Sequence, residues 1–203
     1  MLARNLELKV ACGSDDLADM RFRLTAANCP MAEPERMRQV DTYYRVPRGR
    51  LKLRQIDRML PDGSDDPAGR SAELIGYDRP QVPGSRWSTY RVAAVDPCAA
   101  PELHDALALT HEVLVQVVKR RDVMNVGATR IHFDEVEDLG GFVELETVIG
   151  GQDDREATRE HEAVIALLGL DRFQPIAGSY SDLLLARGHR GGPTPGEPQS
   201  RVP

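Results

Sequence analysis

Apolar and charged side chains alternate with a period of two in several short runs of this chain. Glu7 and Lys9 alternate with Leu6 and Leu8, and Lys52 and Arg54 with Leu51 and Leu53. Between Val115 and Glu146 come Lys119 with Arg121, then Arg130, His132 and Asp134, then Glu144 and Glu146. Successive strand side chains point to opposite faces, so each set occupies one face of its strand. The pattern predicts strands over 6–11, 37–45 (with Gln39, Asp41 and Tyr43 on one face), 50–57, 72–79 and 87–95. A long strand follows from near His111, then two more after turns at 125–128 and 138–141. Pro47-Arg48-Gly49 between the second and third strands has hairpin character.

The helical period predicts three further elements. Gly13, Ser14 and Asp15 supply a turn and cap before an amphipathic helix reaching about Ala27, carried by Leu17, Met20, Phe22 and Leu24. A short helix is expected over 101–108 and a strong one over 153–168, the latter on Ala157, Val164, Leu167 and Leu168. Residues 179–184 read as a closing turn or helix. The stretches 30–35, 80–85 and 59–70 read as loops, the last because it is rich in Gly, Pro and Asp. Residues 1–187 are expected to form one domain. The apolar-poor 188–203 should be a disordered tail.

A single Lys-x-Arg or Glu-x-Glu pair is what any half-solvated antiparallel sheet shows. Here, however, the signs are segregated: one strand is basic at its paired positions and another acidic, whereas a solvated face normally mixes them. If the strands form one curved antiparallel sheet, the charged faces converge into a tunnel in which cations hold a polyanion and carboxylates hold a metal. The proposed lining has six basic groups against four acidic ones, a surplus that suits an anion.

At 203 residues and 41% hydrophobic, the chain can bury one substantial core. A net charge of −6 and a pI near 5.4 argue against a nucleic-acid binder. Cys12, Cys29 and Cys98 have no metal spacing and read as free thiols of a cytoplasmic protein. No apolar run is long enough for a membrane span, and no signal peptide is evident. His104, His111, His132 and His161 lack zinc spacing, although His132 shares a face with Arg130 and Asp134. Neither a P-loop nor a strand-linked Gly-x-Gly-x-x-Gly is present. Tyr43, Tyr44, Trp87 and Tyr90 read as sheet packing rather than a base-stacking platform.

Several blocks together resemble one family. Asn5-Leu-Glu-Leu-Lys9 resembles the Glu-x-Glu-x-Lys signature of the CYTH superfamily, the triphosphate tunnel metalloenzymes. Gly49 to Arg54, Lys119-Arg-Arg121, Arg130 to Asp134, Leu139 to Glu146 and Ser179 to Leu184 follow in the family's order. The last two blocks resemble the class IV adenylate cyclases in particular, and the thiamine triphosphatases are related. The resemblance implies an α+β fold, an antiparallel eight-stranded β-tunnel, closed or nearly closed, with flanking helices. It implies an enzyme dependent on Mg²⁺ or Mn²⁺ whose partner is a nucleoside triphosphate, tripolyphosphate or another triphosphate, without nucleic acid or membrane, as a monomer or homodimer. The expected activity is cyclisation of ATP to cyclic AMP and diphosphate; the alternatives are triphosphate hydrolysis and phosphate binding without chemistry.

Carried over by motif, Glu7, Asp134, Glu144 and Glu146 are expected at the metal, Asp134 as a ligand or just behind one. Lys9, Lys52, Arg54, Lys119, Arg121 and Arg130 are expected on phosphate oxygens, with Arg79 standing in for a lysine the family often supplies. Lys9, Lys119 and Arg121 are the candidates for catalysis. Asn5 departs from the motif: where the family has a first glutamate, an amide contributes an oxygen without charge, which puts a second metal in doubt.

Overall fold

The computed structural model describes residues 3–27, 34–78 and 84–188. Arg79, Cys29, the tail from 189 onward and most of the expected loops at 30–35 and 80–85 lie outside them. Eight strands, β1 (Ala3–Ala11), β2 (Glu35–Tyr44), β3 (Arg50–Met59), β4 (Asp65–Asp78), β5 (Arg86–Val95), β6 (Val113–Val126), β7 (Thr129–Val136) and β8 (Gly140–Val148), close into an antiparallel barrel. Around it the order is β1-β5-β4-β3-β2-β6-β7-β8. Two meanders, β2 to β5 and β6 to β8, are joined along β2 and β6, and β1 closes the seam between β5 and β8.

Alternation gives the barrel two cores. The outward faces of β1, β7 and β8 present Leu8, Val10, Ile131, Phe133, Val143 and Leu145. Helices α1 (Ser14–Ala26) and α3 (Asp154–Leu168) cover them with Leu17, Met20, Leu24, Val164 and Leu168. The second core lies inside: Tyr43, Val115, Val117, Val136 and Phe142 share their strands' inner faces with charged residues two or more positions along. Helix α4 (Tyr180–Ala186) packs Tyr180 and Leu184 into this cluster and fills that end of the barrel. A fourth helix, α2 (Ala100–Ala108), precedes β6.

The entry into α4 is tied down. Ser179 caps the helix, and Arg50 at the start of β3 donates to Ser179 Oγ at 2.7 Å and to Asp182 Oδ2 at 2.9 Å. The Phe142 and Tyr180 rings meet edge to face at 4.9 Å.

Two sequence expectations need correction. Residues 65–70 read as loop but form the first part of β4, because β3 extends far enough to pair with them across an irregular register at Asp57 and Met59. Pairing overrides the poor strand propensity of Asp and Gly. Phe22 is 70% exposed rather than part of the α1 stripe. It stands two residues, about 200° of helix, from buried Met20. The α1 N-cap is Gly13, within the Gly13-Ser14-Asp15 turn expected there, and its N–H donates to Asp16 Oδ2 at 3.1 Å.

A buried polar chain fastens α3 to the barrel. His161 meets Thr147 Oγ1 at 2.8 Å through Nδ1 and Ser85 Oγ at 3.1 Å through Nε2. Burial pushes its pKa down to about 4. The unfolded chain therefore binds the proton first: this stability is present above about pH 6.5 and is lost as pH falls towards 4. Unfolding followed between pH 7 and 4 is expected to show about 3 kcal/mol of loss that His161→Gln removes.

Candidate active site in the barrel lumen

The charged inner faces do converge. They line a cavity of about 390 Å³ to which β1, β2, β3, β6, β7 and β8 all contribute ionic side chains. Its chemistry is arranged by depth. The Lys119 and Asp134 side chains are 2% and 0% exposed, Glu144 and Glu146 15% and 19%, and Arg130 51%. The deep end adjoins the apolar plug and α4, and exposure rises away from it.

Two buried carboxylates organise the cations. Asp41 on β2 accepts from Lys52 Nζ at 2.8 Å, from Arg54 Nε at 2.8 Å and from Gln39 Nε2 at 3.1 Å. Asp134 on β7 accepts a bidentate pair of bonds from Arg121, both at 2.6 Å, one from Lys119 at 3.2 Å and one from the Tyr180 hydroxyl at 2.7 Å. Burial alone would raise both carboxyls, but Arg54 with Lys52, and Arg121 with Lys119, hold them well below the usual carboxylate range. Lys9 lies 3.2 Å from Glu144 and 4.0 Å over the Tyr180 ring, which Lys119 also approaches at 5.0 Å.

Crowding lowers the lysines. Burial first, then Arg121, pushes Lys119 down to about 7, against the pull of Asp134. Burial and Arg54 push Lys52 down to about 8. At neutral pH Lys119 is poised to gain positive charge beside an arriving anion, and Lys52 is so at slightly higher pH.

The acidic wall lies on β1 and β8. Glu7 and Glu146 are directly opposed across the ladder, and Lys9 opposes Glu144. Asn5 donates through Nδ2 to Glu146, while its buried Oδ1 has no hydrogen-bond partner among the described residues. Two facing carboxylates and an orphaned amide oxygen form a hard-oxygen set suited to Mg²⁺ or Mn²⁺. The four sequence-predicted ligands do not gather: among the described residues no three Asp, Glu, His or Cys side chains form a ready cluster. Asp134 is engaged by Lys119, Arg121 and Tyr180, and Glu144 by Lys9 and by Arg121 at 3.0 Å. Glu146 is engaged too, by Arg130 at 3.5 Å and by Asn5, and the oxygens that could hold the ion are those of Glu7, Glu146 and Asn5 on the facing strands β1 and β8.

A family model, the CYTH domain, matches residues 3–180. The chain belongs to the CYTH domain family. No curated protein matches it. Among solved structures, the PH1012 protein from Pyrococcus horikoshii OT3 superposes with a TM-score of 0.65 at 20% identity, covering 88% of this chain and 98% of that one. A candidate adenylate cyclase from Vibrio parahaemolyticus gives 0.59 at 21%, covering 89% and 97%. HpAC1 from Hippeastrum, a candidate adenylyl cyclase described as having a dominant triphosphatase activity, gives 0.59 at 13%, covering 91% and 96%. At these identities the likeness is one of fold.

Of the sequence-predicted residues, this CYTH domain brings Glu7, Lys9, Lys52, Arg54, Lys119, Arg121, Arg130, Glu144 and Glu146 to the cavity, with Asp134 buried behind Lys119 and Arg121. His132 also lines it, 3.8 Å from Glu144 and 3.8 Å from Glu146. Sequence reasoning missed Asp41, Glu73 and Tyr180 as lumen residues. Asp41 and Glu73 raise the carboxylates to six, equal to the six cations, so the expected basic surplus is absent and the cations are paired internally. Asp41 was legible as the middle of the Gln39, Asp41, Tyr43 face; the missing step was that a lone carboxylate opposite Lys52 and Arg54 would anchor both. Among the described residues no helix is long and apolar enough to cross a membrane.

Proposed function

We propose that this CYTH domain is a divalent-metal-dependent enzyme acting on a triphosphate chain seated in the lumen. The observation that carries the reading is the convergence of Lys9, Lys52, Arg54, Lys119 and Arg121 from three separate strands around buried carboxylates. A triphosphate entering with its terminal phosphate foremost meets Lys119 and Arg121 at depth, and its α-phosphate rests nearer Glu7 and Glu146. Arginine suits bidentate contacts with phosphate oxygens and lysine suits point contacts. When bound by Glu7, Glu146 and Asn5, Mg²⁺ or Mn²⁺ would neutralise charge on non-bridging oxygens.

Asp41 and Asp134 hold the cations in place against mutual repulsion, so the phosphate-binding groups are positioned before the substrate arrives. Placing the metal-capable wall beside the α-phosphate favours an adenylate cyclase-type reaction, in which a ribose hydroxyl attacks that phosphate and diphosphate leaves. Hydrolysis is the second reading, favoured by Asn5: one fewer carboxylate suits a single ion, and a positioned water needs no sugar hydroxyl.

The test is incubation with ATP, thiamine triphosphate and tripolyphosphate, each with Mg²⁺ or Mn²⁺, and chromatography of the products. Cyclic AMP with diphosphate supports the first reading and orthophosphate the second; no product from any of them rejects catalysis.

The lysines give a pH prediction. An anion stabilises their protonated forms, so binding raises both pKa values and takes up protons near pH 8. Tripolyphosphate affinity is expected to fall by about tenfold or more between pH 7 and 9 as Lys119 and Lys52 lose charge. Calorimetry in buffers of different ionisation heat reads the uptake directly, and zero uptake would contradict the assignment.

A further inference from the structure

Outside the lumen, the buried polar chain under α3 ends at the surface. Thr129, Thr147 and His161 are buried, whereas Ser85, just before β5, is exposed. Four contacts run in series: Glu160 Oε1 to Thr129 Oγ1 at 2.7 Å, Thr129 Oγ1 to Thr147 Oγ1 at 2.8 Å, Thr147 Oγ1 to His161 Nδ1 at 2.8 Å, and His161 Nε2 to Ser85 Oγ at 3.1 Å. None of these five residues lines the cavity that holds the cations. Every link has a direction, and the carboxylate sets it, because a carboxylate only accepts and a hydroxyl has a single proton. Thr129 donates to Glu160 and so accepts from Thr147. Thr147 then has no proton left for the imidazole, so His161 Nδ1 carries the ring proton and donates it to Thr147. Burial keeps His161 neutral at neutral pH, with its pKa down to about 4, which leaves Nε2 bare and makes Ser85 the donor to it. Gly127, at φ +58 in the β6–β7 turn, leaves room for the Glu160 carboxylate, which a Cβ there would approach to 3.0 Å.

We propose that Ser85 is an activated nucleophile, a second reactive site on the outside of the barrel that takes acyl groups from small activated esters of carboxylic acids. A hydroxyl donating to a bare imidazole nitrogen, with a third group fixing the tautomer, is the arrangement that serine nucleophiles use. Ser85 Oγ attacks the ester carbonyl carbon and forms an O–C bond, while the bond from that carbon to the leaving oxygen breaks. The Ser85 proton passes to His161 Nε2 and from there to the leaving oxygen, so the products are O-acyl Ser85 and the alcohol. Positive charge appearing on the ring strengthens its bond to Thr147, and through Thr129 it leans on Glu160. None of the five side chains is a cation that could hold a phosphate, so the acyl donor they suit is uncharged. An imidazole of such low basicity is a weak base, which sets the expected acceleration at the lower end of the general-base range, about a hundredfold. The site does not depend on the triphosphate reading of the lumen.

The experiment incubates the full chain near neutral pH with p-nitrophenyl acetate and follows acetylation of each serine by peptide mass spectrometry. Ser64 is the internal reference, exposed and hydrogen-bonded to Asp62 Oδ1 at 2.6 Å but without an imidazole partner. Ser85 is expected to acetylate about a hundredfold faster than Ser64. His161→Gln should bring it down to the Ser64 rate. Thr129→Val keeps the side-chain shape but cuts the relay, freeing Thr147 to donate to Nδ1 and reverse the tautomer, so acetylation of Ser85 should fall by about tenfold or more. Nitrogen-15 NMR of the wild-type ring reads the same assignment without any variant: Nδ1 protonated and Nε2 bare. A wild-type Nε2–H, a Ser85 that reacts no faster than Ser64, or a variant of either kind that acetylates Ser85 as fast as its parent would overturn the proposal.

Discussion

Asp134→Ala is expected to cost about 3–5 kcal/mol of stability, the largest effect of any single substitution in the lumen. The carboxylate is fully buried and meets Arg121 twice, Lys119 once and Tyr180 once. Its removal leaves a guanidinium and an ammonium facing each other in a dry site, with a tyrosine hydroxyl unpaired. For a chain of this size the midpoint of thermal unfolding should drop by on the order of 10 °C. Tyr180→Phe, which removes only the hydroxyl, should cost about 1 kcal/mol. Chemical denaturation of both variants checks the contrast, and an Asp134→Ala protein as stable as the parent would show that the pair is not the internal anchor described above.

The second large effect falls on chemistry rather than stability. Glu7→Gln/Glu146→Gln removes both charges of the facing pair on β1 and β8 while keeping shape and hydrogen-bonding capacity. Metal-dependent turnover is expected to fall by about a hundredfold or more, since changes merely behind a metal's ligands already cost 10- to 100-fold. Stability should hold or rise slightly, because two like charges directly opposed on adjacent strands repel. Raising the Mn²⁺ concentration should recover part of the activity if the loss is in metal affinity. Full turnover in the double variant would remove Glu7 and Glu146 from the metal assignment and reopen it for Glu144.

Those two outcomes separate roles that the sequence merges. Period-two alternation is a strong signal, so the strands and their inner faces were legible from Lys9, Lys52, Arg54, Lys119, Arg121, Glu144 and Glu146. The family blocks then supplied closure, which alternation by itself does not imply. Depth was not legible: nothing in Arg130-Ile-His-Phe-Asp134 says that Asp134 is fully buried while Arg130 is half exposed, since that depends on the tilt of β7 and on α4 filling one end. Tyr180 reached the site through a segment that read as a closing turn or helix, and Glu73 lies on a strand whose pattern offered only Arg79 as a lumen residue. Tyr90 read as packing; its register opposite Tyr77 is what turns it into part of the cavity. The 65–70 segment was misread for a similar reason, because its pairing with β3 is a tertiary fact that Asp, Pro and Gly conceal.

The central claim is that the lumen is a seat for a triphosphate, and calorimetric titration of the folded protein with Mg²⁺ and tripolyphosphate tests it most directly, alongside Lys119→Ala. The account predicts one saturable site in the wild type. Lys119→Ala should weaken it roughly ten- to a hundredfold, the worth of one charge-assisted contact, with Arg121 still paired to Asp134. Failure of the wild type to bind any triphosphate, or a Lys119→Ala protein that binds as tightly as its parent, would contradict it.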